Sequence, residues 1–117
     1  MKCTSAAIII SLWAISTSAT VSKGTTTFAI LHEPYHSAWI EGDDPCDKRT
    51  DIASADQALC SKTFELDNNE SYAFFGCGTS GFALYNEPSG SFNHACKYTP
   101  QKINCPNGDV VQKEWKC

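Results

Sequence analysis

The order of apolar and polar residues along this chain predicts a series of short β-strands. Runs rich in β-branched and aromatic residues are separated by clusters of Gly, Pro, Asn and Asp, which favour turns. The predicted strands are residues 25–31, 37–41, 62–66, 71–76, 82–86, 91–98 and 110–116. Residues 52–59, with apolar Ile52, Ala55, Ala58 and Leu59, instead predict one or two helical turns. This pattern, with a turn about every ten residues, predicts an all-β sandwich.

Twelve residues of the chain recur fifty-four positions later, where 28–39 aligns with 82–93. Phe, Ala, Glu, Pro and Ser match in place, and Glu-Pro is expected to form a turn in both copies. Such a repeat predicts one supersecondary unit built twice, with equivalent strands in the two copies. We therefore predict a single domain with halves at about 25–76 and 81–117.

Residues 1–19 have the pattern of a secretory signal peptide. Lys2 provides the positive start, residues 6–15 are apolar, and small residues at Thr17 and Ala19 place the cleavage site after Ala19. Polar residues at 16–20 end the apolar run too early for a membrane span. The prediction is a secreted, extracellular mature chain of 117 − 19 = 98 residues, 20–117.

Cleavage would remove Cys3 and leave six cysteines, an even number in a short exported chain. This pattern predicts three disulfides, for which fifteen connectivities are possible. No C-x-x-C pair occurs among the six, so their spacing does not favour zinc binding. The predicted disulfide cysteines are Cys46, Cys60, Cys77, Cys96, Cys105 and Cys117.

The charge balance of the predicted mature chain is acidic. Without Lys2, 9 − 1 = 8 basic residues stand against 13 acidic ones, a net charge near −5. Nucleic-acid binding and membrane lysis both rely on cationic surfaces. We therefore expect no nucleic-acid partner.

The segment from His32 to His36 matches H-E-x-x-H, in which two histidines on successive helical turns bind zinc and the glutamate activates water. Pro34 is unfavourable inside a helix, and the residues before it favour a strand. A third ligand would have to be His94. The zinc-protease interpretation is therefore a minor alternative. The sequence also lacks the G-x-S-x-G motif that holds the nucleophilic serine in many hydrolases. We predict no metal, cofactor or catalytic residue.

A polar turn at 67–70 carries two further candidate sites. Asp67 to Ser71 has oxygen ligands suited to calcium, although a plain hairpin turn explains the same residues. Asn69 opens the sequon Asn-Glu-Ser, so we predict it as a glycosylation site.

The sequence from Phe82 to Gly90, a strand followed by an acidic-Pro turn, resembles the opening of a βγ-crystallin Greek key. The junction between 71–75 and 83–86, together with Trp115-Lys116-Cys117, is similar to the single-domain, six-cysteine βγ-crystallin-like antimicrobial proteins of plants. This resemblance implies a two-Greek-key sandwich stapled by three disulfides. It also implies a relation to killer toxins and to small secreted effectors of plant-associated fungi.

The resemblance leads us to expect a non-enzymatic, effector or virulence-type protein that binds an extracellular host or competitor target. An antimicrobial or killer-toxin-like protein is the alternative, disfavoured by the net acidity. A protease inhibitor, using an exposed loop at 99–108, is less favoured. The aromatic residues expected in the core are Phe28, Trp39, Phe64, Phe74, Phe82 and Trp115.

Overall fold

A computed structural model describes residues 20–117, and the predicted signal peptide with Cys3 lies outside the described residues. Within 20–117 there is no helix, and nine strands make up the fold. They are β1 Val21–Thr27, β2 Pro34–Ile40, β3 Thr50–Ser54, β4 Phe64–Glu65, β5 Ser71–Phe75, β6 Ala83–Glu87, β7 Phe92–Ala95, β8 Lys97–Asn104 and β9 Val110–Lys116.

The strands form two antiparallel sheets. The first has the order β3-β2-β1-β9-β8 and the second β4-β5-β6-β7. Neighbouring strands follow one another in sequence except for β1 and β9, which join the two ends of the described chain. This order confirms the prediction of an all-β fold with two sheets, whereas the two-Greek-key arrangement is not confirmed.

The hairpin of β1 and β2 begins earlier in the chain than predicted. Its ladder runs from the pair Val21 and Ile40 to the pair Thr27 and Pro34. Pro34 is tolerated there because it is the first residue of its strand. The turn lies at residues 29–31, so the predictions of a strand at 25–31 and of a turn at Glu33-Pro34 are wrong in position.

The two copies of the sequence repeat do not have equivalent structures. Residues 28–31 follow β1 and form the turn of a hairpin, whereas residues 83–87 are strand β6. Pro34 opens a strand, whereas Pro88 lies in the turn after one. The prediction of two equivalent units is therefore wrong.

The predicted helical turns at 52–59 are also wrong, because Thr50–Ser54 forms strand β3. Its partner β2 supplies the reason, since tertiary pairing overrides a short apolar pattern. The Ser37 hydroxyl of β2 lies 2.7 Å from Asp51 Oδ1 of β3 and 2.9 Å from Thr26 Oγ1 of β1. These polar contacts tie three neighbouring strands together.

The main core lies between the two sheets. Val21 and Ala38 of the first sheet pack with Phe64, Phe74 and Leu84 of the second, and all five are buried. Phe74 stacks on Phe64 at 5.3 Å between ring centroids. Of the aromatic residues predicted to be in the core, four are confirmed as buried, namely Trp39, Phe64, Phe74 and Phe82; Trp115 is partly buried and Phe28 half-buried.

A second, smaller core covers the outer face of the first sheet. Trp39 packs there with Val111 and with the Cys46–Cys105 disulfide. Gly24 makes room for this indole ring, because a Cβ at this position would lie 3.0 Å from Trp39 and 2.5 Å from the Gln112 carbonyl oxygen. The first sheet is therefore buried on both faces near Trp39.

All six predicted cysteines form disulfides, which are Cys46–Cys105, Cys60–Cys77 and Cys96–Cys117. The first connects two loops that lie 59 residues apart in sequence. The others close separations of 17 and 21 residues. All three cross-links lie in the part of the described chain from Cys46 onward, and strands β1 and β2 precede the first of them.

Candidate functional site

The H-E-x-x-H residues do not have the geometry of a zinc site. His32 lies between β1 and β2 in a left-handed conformation, with φ at 57°, and His36 lies within strand β2. Successive turns of a helix, which the zinc chemistry requires, are therefore absent from this segment. Within residues 20–117 no group of three or more His, Cys, Asp or Glu side chains is placed to hold a metal ion.

The polar turn at 67–70 connects β4 and β5. Asn68 is used within this turn, since its Oδ1 accepts from the Glu70 N–H at 3.0 Å and its Nδ2 donates to the Tyr72 hydroxyl at 2.8 Å. Asn69 is exposed, with φ at 65°. The hydrogen bonds of Asn68 support a structural turn at the candidate calcium sequence, and glycosylation of Asn69 stays a prediction.

The predicted inhibitor loop at 99–108 is mostly strand. Residues up to Asn104 belong to β8, and only a short turn around Gly108 connects them to β9. Cys105 N–H donates to the Asp109 carbonyl oxygen at 2.9 Å and closes this turn. The prediction of an extended loop is therefore wrong.

A cleft of about 370 Å³ opens between the two sheets. The first sheet contributes Lys23, His36 and Trp115, and Phe82 lies directly before β6 of the second sheet. Trp115 meets Phe82 edge-on at 5.2 Å. The remaining lining residues belong to nearby loops: Leu59, Cys77, Gly78 and Thr79.

An ion pair occupies the polar side of this cleft. Glu114 is the extra residue of a β-bulge between β1 and β9, so its carboxylate reaches the same face as Trp115. Lys23 Nζ lies 2.5 Å from Glu114 Oε1, and Thr25 Oγ1 donates to Glu114 Oε2 at 3.0 Å. Burial, followed by the nearby Lys23 charge, lowers the pKa of His36 and favours its neutral form.

The cleft residues offer little reaction chemistry. The Lys23 amine is held by Glu114, and Cys77 is bound in its disulfide with Cys60. Among the described residues that line the cleft, no hydroxyl or thiol group forms a hydrogen bond with the His36 ring, as a nucleophile activated by histidine would.

Three aromatic side chains lie on the outer face of the second sheet, one each on β5, β6 and β7. We call Phe75, Tyr85 and Phe92 the aromatic face. Tyr85 meets both phenylalanines edge-on, at 5.2 Å and 5.6 Å between ring centroids. Phe75 is 38% exposed and Phe92 58% exposed. This row of rings is therefore available to a partner.

The rings of the aromatic face pack over small residues of the sheet. Phe75 pairs with Ala83 across the sheet, and Tyr85 pairs with Ala73. Both alanines are almost fully buried although they point outward, because the rings cover them. Small residues beneath large ones hold the rings against the sheet.

A second exposed apolar group lies at the tip of the β1–β2 hairpin. Ile30 is 89% exposed and Leu31 62% exposed, and we call this pair the hairpin tip.

Asp109 braces the turn that carries the hairpin tip. The Ala29 N–H donates to Asp109 Oδ1 at 2.9 Å, and this hydrogen bond is the main reason that the pKa of Asp109 lies below its ordinary value. Arg49 contacts both Asp109, at 3.6 Å, and the ring of Phe28.

Sequence reasoning missed the aromatic face, although a signal was present. The adjacent residues Phe74 and Phe75 cannot both point inward, because successive side chains of a strand alternate between faces. Phe74 is in the core, so Phe75 had to be outside. The same alternation in β6 places Leu84 inward and Tyr85 outward.

No protein-family model, curated protein or solved structure matches this chain. The described residues contain no helix long and apolar enough to cross a membrane. The class that the fold defines is a small antiparallel β-protein held by three disulfides, a combination compatible with an extracellular location.

Proposed function

We propose that this chain is a secreted, non-catalytic, effector-type protein that acts outside the cell by binding a protein target through the aromatic face. The observation that carries the proposal is the exposure of Phe75 and Phe92 beside Tyr85 on a rigid sheet. Exposed apolar patches often mark interaction sites, and aromatic residues are enriched among the residues that contribute most to binding. The disulfides and the signal-peptide pattern support secretion.

The proposal does not depend on the βγ-crystallin resemblance. That resemblance, with its two Greek keys, stays a prediction about ancestry and arrangement. Support for binding comes instead from the mutual packing of its three rings, because side chains that are already packed lose less conformational entropy on binding.

A matched pair of variants tests the proposal. Phe92 and Tyr98 are both 58% exposed, and each meets one aromatic neighbour edge-on. Labelled protein is incubated with plant, fungal and bacterial cells, and saturable binding is measured for wild type, Phe92→Ser and Tyr98→Ser. We expect Phe92→Ser to weaken binding by about tenfold or more, and Tyr98→Ser to bind like wild type. Equal binding of Phe92→Ser and wild type would contradict the proposal.

The hairpin tip favours a second candidate function, an antimicrobial or killer-type protein. Two exposed aliphatic side chains on a braced turn suit insertion into a membrane surface. A growth-inhibition assay on fungi and bacteria compares wild type with Ile30→Ser/Leu31→Ser. Dose-dependent killing that this variant loses would place the antimicrobial function first.

A further inference from the structure

Strand β7 is an open edge beside the aromatic face. It pairs with β6 alone, and Phe92 belongs both to this strand and to the aromatic face. Cys96 N–H donates to the Phe82 carbonyl oxygen at 3.0 Å. Because bonding alternates along an antiparallel ladder, the peptide groups of the preceding residue, Ala95, point to the open edge. Ala95 is exposed, so these groups are accessible.

The other sheet edges of the described chain carry features that limit pairing with a partner. Strands β3 and β4 meet where Thr50 Oγ1 donates to the Glu65 carbonyl oxygen at 2.8 Å. Strand β8 contains Pro100, which has no N–H, and also Lys97 and Lys102. Proline and lysine discourage pairing at an edge.

Strand β7 contains neither proline nor lysine. Its four residues include a bulge at Asn93, whose amide donates to Asn86 Oδ1 at 2.7 Å. A bulge limits regular pairing. An added strand would therefore be short and would pair at the Ala95 end.

The four strands of the second sheet contain two glutamates and one histidine. Glu65 and Glu87 both flank Ser71 on its outer face, and the four strands of the sheet contain no lysine or arginine. Glu87 is two residues from Tyr85 on the same strand and so shares its face. Lysine and arginine side chains are attracted both to aromatic rings and to carboxylates.

We propose that the target contributes an extended basic segment that pairs with β7 at Ala95. The segment continues unpaired along the aromatic face, with alternate lysine or arginine side chains lying over Phe92 and then toward Glu87, at the far end of β6. This inference rests on the proposed function and names the chemistry of its partner. Main-chain hydrogen bonds to Ala95 supply the pairing, as in other cases of strand addition. Charge on alternate residues supplies the specificity.

Two synthetic peptides of identical composition test the inference. One alternates lysine and threonine, and the other places all lysines before all threonines. Protein from a secretory host expressing the full chain is titrated with each peptide at low salt, and binding is measured by calorimetry. We expect the alternating peptide to bind about tenfold more tightly than the block peptide, and to weaken as salt is raised.

Variants of Ala95 separate backbone pairing from charge. Ala95→Pro removes the outward N–H, whereas Ala95→Thr keeps it; we expect about tenfold weaker peptide binding for the proline variant only. If Ala95→Pro does not fold, Ala95→Lys and Ala95→Glu replace it, and the lysine variant is expected to bind more weakly than the glutamate variant. Glu87→Gln is expected to weaken binding by severalfold.

Equal affinity of the two peptides, no binding of either, or no difference between the Ala95 variants would overturn the inference. The cell-binding comparison of Phe92→Ser with Tyr98→Ser reports on the proposed function separately. If the peptides fail while Phe92→Ser still loses cell binding, the aromatic face binds a target of different chemistry. If both experiments fail, the proposed function fails as well.

Discussion

Gly24 shows how one residue positions two layers of the fold. It lies in β1 beneath the Trp39 ring and against the backbone of β9. A side chain there would meet a carbonyl oxygen that belongs to the sheet itself, and a backbone atom cannot move aside as a flexible side chain can. The close approach of three strands at this point therefore depends on glycine.

Gly24→Ala is expected to reduce the free energy of unfolding by about 1–3 kcal/mol, the usual cost of overpacking. Gly81→Ala is the control, because its Cβ would lie 3.6 Å from Thr79 Oγ1, an ordinary contact. We expect a change within about 0.5 kcal/mol for the control. Urea unfolding measures both, and similar losses for the two variants would refute this account of Gly24.

At the scale of elements, the hairpin tip is held by one carboxylate. Asp109 accepts the Ala29 N–H and also the Asn107 side-chain amide, at 3.1 Å, so its charged form is favoured and its pKa is lowered. A lowered carboxyl pKa contributes stability that is present above the unfolded-state value of about 3.9. This contribution is lost as pH falls through the lower folded-state pKa.

The Ala29 amide resonance is expected to titrate with Asp109, with a midpoint below about 3.9. Asp109→Asn can still accept the Ala29 N–H but has no charge to lose, so its Ala29 resonance should not titrate in this range. NMR spectra recorded from pH 7 to pH 2 provide the measurement. A midpoint at or above the ordinary aspartate value would be inconsistent with the hydrogen bond at the tip.

The sequence predicted some elements well and others poorly, for physical reasons. The hairpin of β4 and β5 was predicted correctly because Phe64 and Leu66 alternate around a polar turn. The strand at 25–31 was misplaced because the apolar residues Ile30 and Leu31 are exposed, which no periodicity reveals. The helical turns at 52–59 were wrong because pairing with β2 decides the conformation there.

For the whole molecule, the disulfides contribute much of the stability, and they contribute unequally. The sequence identified the six cysteines but left fifteen pairings open, because pairing depends on tertiary proximity. The Cys46–Cys105 bridge closes 59 residues, against 17 for Cys60–Cys77. A longer loop has more entropy in the unfolded chain, so its cross-link stabilises more.

Replacing Cys46 and Cys105 by alanine is expected to cost about 4 kcal/mol, against about 3 kcal/mol for the Cys60 and Cys77 pair. The first variant also opens the small core around Trp39. Guanidinium unfolding of the two variants and wild type provides the comparison. A larger loss for the Cys60 and Cys77 variant would contradict the assigned roles.

The aromatic face was the part of the molecule least accessible from sequence. The sequence shows that its three residues are aromatic but not that they lie together. The strand register places Phe75, Tyr85 and Phe92 side by side on the outer face. The hairpin tip competes with this face as the functional surface. The two surfaces lie on different sheets, so variants of one leave the other unchanged.

A side-by-side binding isotherm on cells tests the central claim most directly. Labelled wild type is compared with Phe92→Ser in the aromatic face and with Ile30→Ser/Leu31→Ser in the hairpin tip. Saturable binding that Phe92→Ser weakens by about tenfold, while the tip variant matches wild type, is the result that the account predicts. Full binding by Phe92→Ser, with binding lost in the tip variant, would contradict it.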